Sequence, residues 1–327
     1  MPVPKSSKDF PGLPNQGSWE ASLKNSVGAF EAAGNTIRSV HEVLAEGHKI
    51  HRCTEVYVVR IDESSGELAA KNPFKARVCF DGSQMPRDGS EFTSMADDLL
   101  VKSTLCAANQ RGMAMVKFDL PQAYLSVPGE STLYMYLPSY FRTTNGGRQC
   151  VEFTTAVWGT PPAGKTFVVE RDRVLTCDCH VAKCEGFSAL FTRPYAENGQ
   201  YVWMLAIMDD LLVLYDDSVT AEINGFSFKG LDHLAQVDKG LRKRWPKLTR
   251  VDNPDGFAGS AIDYDQRAGV MKISCPVKAD QFIDTFVPQV RKPSYSKPAR
   301  SRVQEAADAL HHQAPRPALK SRDMTKA

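Results

Sequence analysis

Residues 204–215 read Met-Leu-Ala-Ile-Met-Asp-Asp-Leu-Leu-Val-Leu-Tyr, and this stretch decides how the rest of the chain is interpreted. Two short apolar runs flank the adjacent carboxylates Asp209 and Asp210, a pattern that predicts two strands joined by a tight turn. Strand side chains alternate between faces, but a turn relaxes this rule and lets both acids reach a common ion. Adjacent carboxylates repel each other, so a bound divalent cation is one interpretation and a solvated surface turn is the other.

A further acid follows an earlier strand. Residues 113–121 read Met-Ala-Met-Val-Lys-Phe-Asp-Leu-Pro, which predicts a strand that presents Asp119 at its end and stops at Pro121. A single acid in that position is ordinarily structural or solvated. Three carboxylates that converge from two neighbouring strands, however, can hold two Mg²⁺ (or Mn²⁺) ions about 3.5–4 Å apart. Such a pair suits phosphoryl transfer, and oxygen ligands favour Mg²⁺ over softer metals.

Upstream, residues 55–61 and 75–80 read as two strands separated by turn residues. On the second strand, Lys75 and Arg77 share one face, since strand side chains alternate. By pattern alone, these residues are solvated cations on an exposed strand face.

Residues 159–166 match the phosphate-binding loop pattern G-x-x-x-x-G-K-[ST] between a predicted strand and a predicted helix. With Asp209 and Asp210 at a later strand end, a P-loop NTPase is an alternative. Pro161 and Pro162 count against it, because they remove two backbone N–H groups that would cradle phosphate. An apolar strand also follows Asp210 directly, and the NTPase interpretation leaves the acid at the end of the earlier strand unused.

A cluster of soft ligands lies at Cys177, Cys179, His180 and Cys184. Zinc is one interpretation, but the spacing matches no paired Cys-x-x-Cys signature and no second half follows. The spacing therefore favours free cysteines in a helical segment.

The composition is that of an ordinary globular protein. The 327 residues include 42% hydrophobic and 24% charged residues, with a net charge of +2 that demands no polyanionic partner. The sequence has no signal peptide and no apolar run of membrane-spanning length, so we expect no membrane partner and an intracellular location, cytoplasmic or nuclear. Eight cysteines are then expected to be reduced.

Several ordered blocks resemble the reverse transcriptases of copia-type LTR retrotransposons. The blocks are residues 75–78, 118–125, 133–138, 156–159 and 208–210, flanked by 19–22 and 256–262. The resemblance covers about residues 18–287 and implies an α+β right-hand polymerase with fingers, palm and thumb. Its palm would be an antiparallel sheet covered by helices on one face.

The resemblance also implies roles for individual residues. Its catalytic, metal-binding acids would be Asp119, Asp209 and Asp210, with the Leu120 carbonyl close by. Tyr124 would stand against the 2′ position of the incoming sugar, and Lys75 and Arg77 would neutralise the triphosphate. Trp158 and Gly159 would lie beneath the templating base pair. The substrates implied are dNTPs and an RNA or DNA template with its primer.

The resemblance divides the chain into regions. It predicts N-terminal helices and fingers over 18–115 and a palm over 116–225, while a composition rich in Pro, Ser and Lys predicts a disordered N-terminus over 1–17. A thumb-like region follows over 226–290, whose basic segment 229–244 would track the primer–template backbone. Residues 291–327 would form a basic, Pro-rich disordered tail.

Two departures from the family pattern bear on activity. Ile207 stands where the family has an aromatic residue, and residues 159–165 read Gly-Thr-Pro-Pro-Ala-Gly-Lys in place of GLKQAPR. The second change creates the apparent phosphate loop, so we interpret that match as accidental. Because the chain ends before any RNase H domain, we expect a truncated or degenerate copy of an element. A catalytically inactive remnant that binds nucleic acid is therefore a second alternative.

Overall fold

A computed structural model describes residues 2–60, 68–70, 72–86, 98–194, 201–216, 220–223 and 226–274. The helices are α1 Gln16–Ala32, α2 Val40–Ala45, α3 Asp98–Gln110, α4 Ala163–Cys177 and α5 Gly230–Arg244. The strands are β1 Thr36–Ser39, β2 Ile50–His51, β3 Cys53–Val59, β4 Phe74–Phe80, β5 Ala114–Asp119, β6 Pro128–Tyr136, β7 Gln149–Thr155, β8 Ala182–Lys183, β9 Leu190–Pro194, β10 Tyr201–Ile207, β11 Asp210–Tyr215, β12 Thr220–Ile223, β13 Phe226–Lys229, β14 Thr249–Asp252, β15 Gly256–Phe257, β16 Ser260–Asp265 and β17 Val270–Ser274. The predicted tail over 291–327 lies outside the described residues.

The central sheet has six strands in the order β14-β5-β11-β10-β9-β8, and each neighbouring pair is antiparallel. One face packs on helices α4 and α5 through Phe167, Val174 and Leu234. The other face is covered by α3 and by the small sheet β15-β16-β17, so it is not exposed to solvent. The expectation of helices on one face therefore needs correction. Strand β11 carries a continuous apolar run, residues 211–214, and such a run buries both of its faces.

A separate layer is built on α1 and the β3–β4 hairpin. Trp19 and Leu23 of α1 are buried against β4. The hydroxyls of Ser22 and Ser26 on the same helix accept the backbone N–H groups of Ala76 (2.8 Å) and Val78 (2.9 Å). Helix α1 thus covers the edge of β4 that β3 leaves unpaired, which fixes the strand that carries Lys75 and Arg77.

The N-terminal segment differs from the disorder expected over residues 1–17. Phe10 is 1% exposed and contacts the rings of Tyr57 and Tyr140, at centroid distances of 5.7 and 6.0 Å. The backbone N–H of Ser7 donates to the Glu55 carboxylate at 2.8 Å. A buried aromatic ring orders this segment, although its composition is rich in Pro, Ser and Lys.

Helix α5, expected in the thumb-like region, packs on the central sheet. Its apolar residues at helical spacing are buried in the core below that sheet. Three of its basic residues are paired with acids: Arg242 with Asp238 (2.7 Å), Lys243 with Asp178 (2.6 Å) and Arg244 with Glu170 (3.0 Å). The last two of these ion pairs join the helix to its surroundings, and the contact of the basic segment 229–244 with a primer–template backbone stays a prediction.

Among the helices of the described ranges, none combines the length and apolar character needed to cross a membrane.

Candidate functional site

Strands β10 and β11 form a hairpin with the acids at its tip, as the sequence predicts. Ile207 pairs with Asp210, which leaves a two-residue turn of Met208 and Asp209. Met208 adopts φ 50°, a backbone region that side-chain-bearing residues seldom occupy. A residue in such a conformation needs support from its surroundings.

That support comes from Arg171 on α4, which is 2% exposed. Its Nη1 donates to the carbonyl oxygens of Ala206 (3.3 Å) and Met208 (3.1 Å), directly before the two acids. Its Nε and Nη2 donate to Asp172, which also pairs with Lys183 at 2.7 Å. A buried guanidinium therefore anchors the acidic turn to the helix below the sheet.

Sequence reasoning did not single out Arg171. A usable signal was present, because it lies on the buried stripe of α4 between Phe167 and Val174. A charged residue on an apolar stripe needs buried partners, and here those partners belong to the acidic hairpin.

Strand β5 brings Asp119 to the same end of the sheet. In the antiparallel register, Asp119 lies directly opposite Asp210. The backbone N–H of Leu120 donates to the carbonyl oxygen of Asp209 at 3.0 Å, which ties the end of β5 to the hairpin turn. Leu120 itself is buried. Three carboxylates from two neighbouring strands thus share one corner of the sheet.

The charges around this corner act on one another. Although Asp209 lies at the surface, desolvation by the surrounding groups raises the pKa of its carboxyl, and the negative charges of Asp210 and Asp119 raise it further. The positive charge of Arg77 opposes this shift. The structure therefore brings a residue of the β3–β4 hairpin within electrostatic range of the acids.

Lys75 responds to the same neighbourhood. Burial lowers its pKa to about 8, and the positive charges of Arg77 and Arg60 act in the same direction. The carboxylates of Asp119 and Asp209 act in the opposite sense. Lys75 and Arg77 thus form a cationic surface opposite an anionic corner, an arrangement suited to a ligand with phosphate groups.

Tyr124 lies beside the acids in a short 3₁₀ turn, residues Tyr124–Ser126. Its half-buried ring packs on Phe167 with centroids 5.7 Å apart. Burial raises the pKa of the phenol, and the negative charge of Asp209 adds to the shift. The ring therefore stands near the hairpin tip, within electrostatic range of Asp209.

Trp158 and Gly159 pack on β4, the strand of the two cations. The indole Nε1 of Trp158 donates to the Val78 carbonyl at 2.7 Å, and its own carbonyl accepts the N–H of Phe80 at 3.0 Å. Gly159 has φ 100°, and a Cβ at this position would collide with the Phe80 carbonyl oxygen. Only glycine fits at position 159, because the backbone of Phe80 comes too close for any side chain.

The donor set at the corner fits a divalent cation in its chemistry. Within the described ranges, no group of three or more His, Cys, Asp or Glu side chains is arranged to hold a metal ion, and Lys117 Nζ pairs with Asp210 Oδ1 at 2.9 Å. The carboxylates nevertheless supply hard oxygen ligands, and desolvation first, then the repulsion from Asp210 and Asp119, raises the pKa of Asp209. A divalent cation would relieve that repulsion, with Asp119, Asp209 and Asp210 as its ligands.

The apparent phosphate loop has a different geometry from a phosphate cradle. Its backbone donors are used within the loop, since Thr160 N–H donates to Val157 and Ala163 N–H donates to Thr160, both at 3.3 Å. Helix α4 begins at Ala163, so Lys165 lies in its first turn. The preceding strand β7 belongs to the sheet β1-β7-β6-β2 and not to the sheet of the acidic hairpin. This arrangement does not favour an NTPase.

The soft-ligand cluster is also dispersed. Cys179 is buried, its thiol donates to the Val237 carbonyl at 3.6 Å, and burial raises its pKa to about 12. Cys177 and His180 are exposed. All cysteines in the described part of the chain are free.

A comparison with protein-family models found no family that matches this chain. A search of curated proteins found no match either. The functional interpretation therefore depends on the geometry of this corner and on the sequence blocks that it unites.

Proposed function

We propose that this chain is an RNA-directed DNA polymerase of the reverse-transcriptase type, a nucleotidyltransferase that adds dNTPs to a primer on an RNA or DNA template. The observation that carries the proposal is the meeting of two sequence blocks. Asp119 ends β5 directly opposite Asp210, and the turn between β10 and β11 adds Asp209 beside them. An acidic turn that is only a solvated surface turn would not need a third acid on a neighbouring strand.

The surroundings support phosphoryl transfer in particular. Lys75 and Arg77 place positive charge on a different hairpin, within electrostatic range of the acids. In the proposed reaction they bind the triphosphate, and the ring of Tyr124 excludes a sugar that carries a 2′-hydroxyl. Trp158 and Gly159 brace the strand of the two cations from behind, so they keep the triphosphate site in place.

The acids would hold Mg²⁺ or Mn²⁺, which activates the primer hydroxyl and neutralises the departing pyrophosphate. The chain itself contributes orientation. The Leu120 N–H and the Arg171 guanidinium hold the backbone of the hairpin turn at 3.0 and 3.1 Å, so the position of the acids is set before substrate arrives.

A catalytically inactive, nucleic-acid-binding remnant is a second candidate. The observation that favours it is the ion pair between Lys117 and Asp210, which occupies one oxygen of a proposed metal ligand. This candidate predicts salt-sensitive binding of an RNA–DNA duplex without any extension of the primer.

Primer extension on an RNA template with Mg²⁺ or Mn²⁺ separates these candidates. We expect extension by the wild type and by the control Asp263→Asn, whose carboxylate is 78% exposed and lies on β16, outside the central sheet. We expect the Asp209→Asn/Asp210→Asn variant to lose at least about a thousand-fold in rate, since metal ions supply several kcal/mol of charge stabilisation.

The opposite results are equally clear. A folded wild type that binds duplex but extends no primer supports the remnant and refutes the polymerase. ATP turnover that Lys165→Ala abolishes would instead support the P-loop NTPase.

A further inference from the structure

Lys117 occupies a distinctive position in the acidic corner. It lies on β5 two residues before Asp119, and strand alternation places both side chains on one face. Asp210 lies on that face as well, because it is the direct partner of Asp119. The Lys117 ammonium reaches Asp210 Oδ1 at 2.9 Å, and the two side chains are 25% and 34% exposed.

The other cations of the corner act differently. Lys75 and Arg77 belong to the β3–β4 hairpin and interact electrostatically with Asp119 and Asp209. Lys117 belongs to the same sheet as the acids and bonds to Asp210 directly. Its charge therefore moves with the site and is present whether or not a substrate is bound.

An ammonium and a divalent cation make conflicting demands on one carboxylate. The ammonium donates a hydrogen bond to an oxygen lone pair that a metal would coordinate, and the positive charges of the ammonium and the metal ion repel each other. Both groups relieve the repulsion among the three acids, so each can take the place of the other.

We propose that Lys117 is a built-in competitor for the divalent cation at Asp210. It neutralises Asp210 when no cation is bound and releases the carboxylate when a cation enters. This inference deepens the proposed function, because it rests on the same metal site.

The competition is expected to be moderate. A partly exposed ion pair contributes little to stability, so the carboxylate is released at low cost. Removing one positive charge close to a divalent cation should tighten cation binding by about three- to ten-fold after allowance for solvent screening.

The test is a Mn²⁺ titration of the purified full chain, followed by electron paramagnetic resonance of free Mn²⁺. Lys117→Met keeps the length of the side chain and removes its charge, and Lys117→Gln serves if the first variant folds poorly. The matched control is Lys102→Met, because Lys102 pairs with Asp98 on α3 at the same 2.9 Å. Adding Asp210→Asn to Lys117→Met tests whether the effect passes through Asp210.

We expect about three- to ten-fold tighter Mn²⁺ binding by Lys117→Met, with Lys102→Met unchanged from the wild type. Adding Asp210→Asn should abolish the gain. In thermal unfolding, Lys117→Met should melt below the wild type in EDTA and show the larger increase in Tm on adding Mg²⁺.

Unchanged or weaker Mn²⁺ binding by folded Lys117→Met and Lys117→Gln would overturn the inference, as would no binding by any variant. The proposed function fails separately. Tighter binding without primer extension sinks the polymerase and leaves the competition intact. Primer extension by the wild type, without any gain in Mn²⁺ affinity in Lys117→Met, supports the polymerase and refutes the competition.

Discussion

Replacing Arg171 by methionine should destabilise the protein far more than a typical charge removal. The guanidinium is 2% exposed and makes hydrogen bonds to two carbonyl oxygens of the acidic hairpin and to Asp172. Methionine fills similar volume but cannot donate, so two carbonyls and one carboxylate lose a charged partner. Breaking a buried ion pair costs about 3–5 kcal/mol, and the contact of Asp172 with Lys183 at 2.7 Å offsets part of this loss. We therefore expect a loss of about 3 kcal/mol in the free energy of unfolding.

Urea denaturation measures this loss, with Arg173→Met as its control. Arg173 lies on the same helix, is 52% exposed and pairs with Glu170 at 2.7 Å, so its replacement should cost far less stability than that of Arg171. If a polymerase activity is present, Arg171→Met should also lower its rate about a hundred-fold, because the acids would move relative to the substrate. Equal losses of stability in the two variants would refute the anchoring role of Arg171.

Three further perturbations test the surroundings of the acids. The kcat/KM for dNTPs should fall as pH rises through about 8, since Lys75 carries its charge below that pKa and loses it above. Lys75→Arg should abolish this fall, and a fall that persists in this variant would exclude Lys75 as its cause. Tyr124→Ala should raise ribonucleotide incorporation relative to deoxynucleotide incorporation about ten-fold or more, and an unchanged ratio would remove the ring from sugar selection. Gly159→Ala should lower the free energy of unfolding, measured by thermal unfolding, by about 2 kcal/mol because the new Cβ collides with the Phe80 carbonyl oxygen. Gly28→Ala, at an open helical position, should cause no such loss, and equal effects of the two variants would contradict the close packing at Gly159.

Local pattern was enough to predict the elements that carry the acids. Two apolar runs around Asp209 and Asp210 are too short for helices and allow little but a hairpin, which the structure contains. Helix α3 ends at Gln110, before Gly112, whose φ of 62° is the left-handed conformation expected after a helix. In each case the deciding interactions lie within a few residues of the pattern.

Pairing between distant strands could not be read from local pattern. The register that sets Asp119 opposite Asp210 depends on β5 meeting β11. Strand β1 likewise depends on a distant partner, because it pairs with β7, which begins at Gln149. In such segments, packing against residues that are distant in the sequence overrides the local secondary-structure propensity.

Helix α5 carries two sequence signals, its charge and its periodicity, and its packing on the central sheet follows from the periodicity. The cations in its last turn suggested a nucleic-acid surface, whereas Leu234, Val237 and Leu241 repeat at the spacing of a buried helical stripe. The pairing of its cations with acids on and after α4 depends on the tertiary fold and had no local signal.

The central claim is that Asp119, at the end of β5, and Asp209, in the turn between β10 and β11, act as one catalytic unit. Its most direct test compares the primer-extension rates of Asp119→Asn, Asp209→Asn and the double variant with the wild type. Residues that act as a unit give strongly non-additive losses, so we expect the double variant to be no slower than the slower single variant. Losses that multiply would show that the two acids act independently, and a folded wild type that extends no primer would contradict the claim outright.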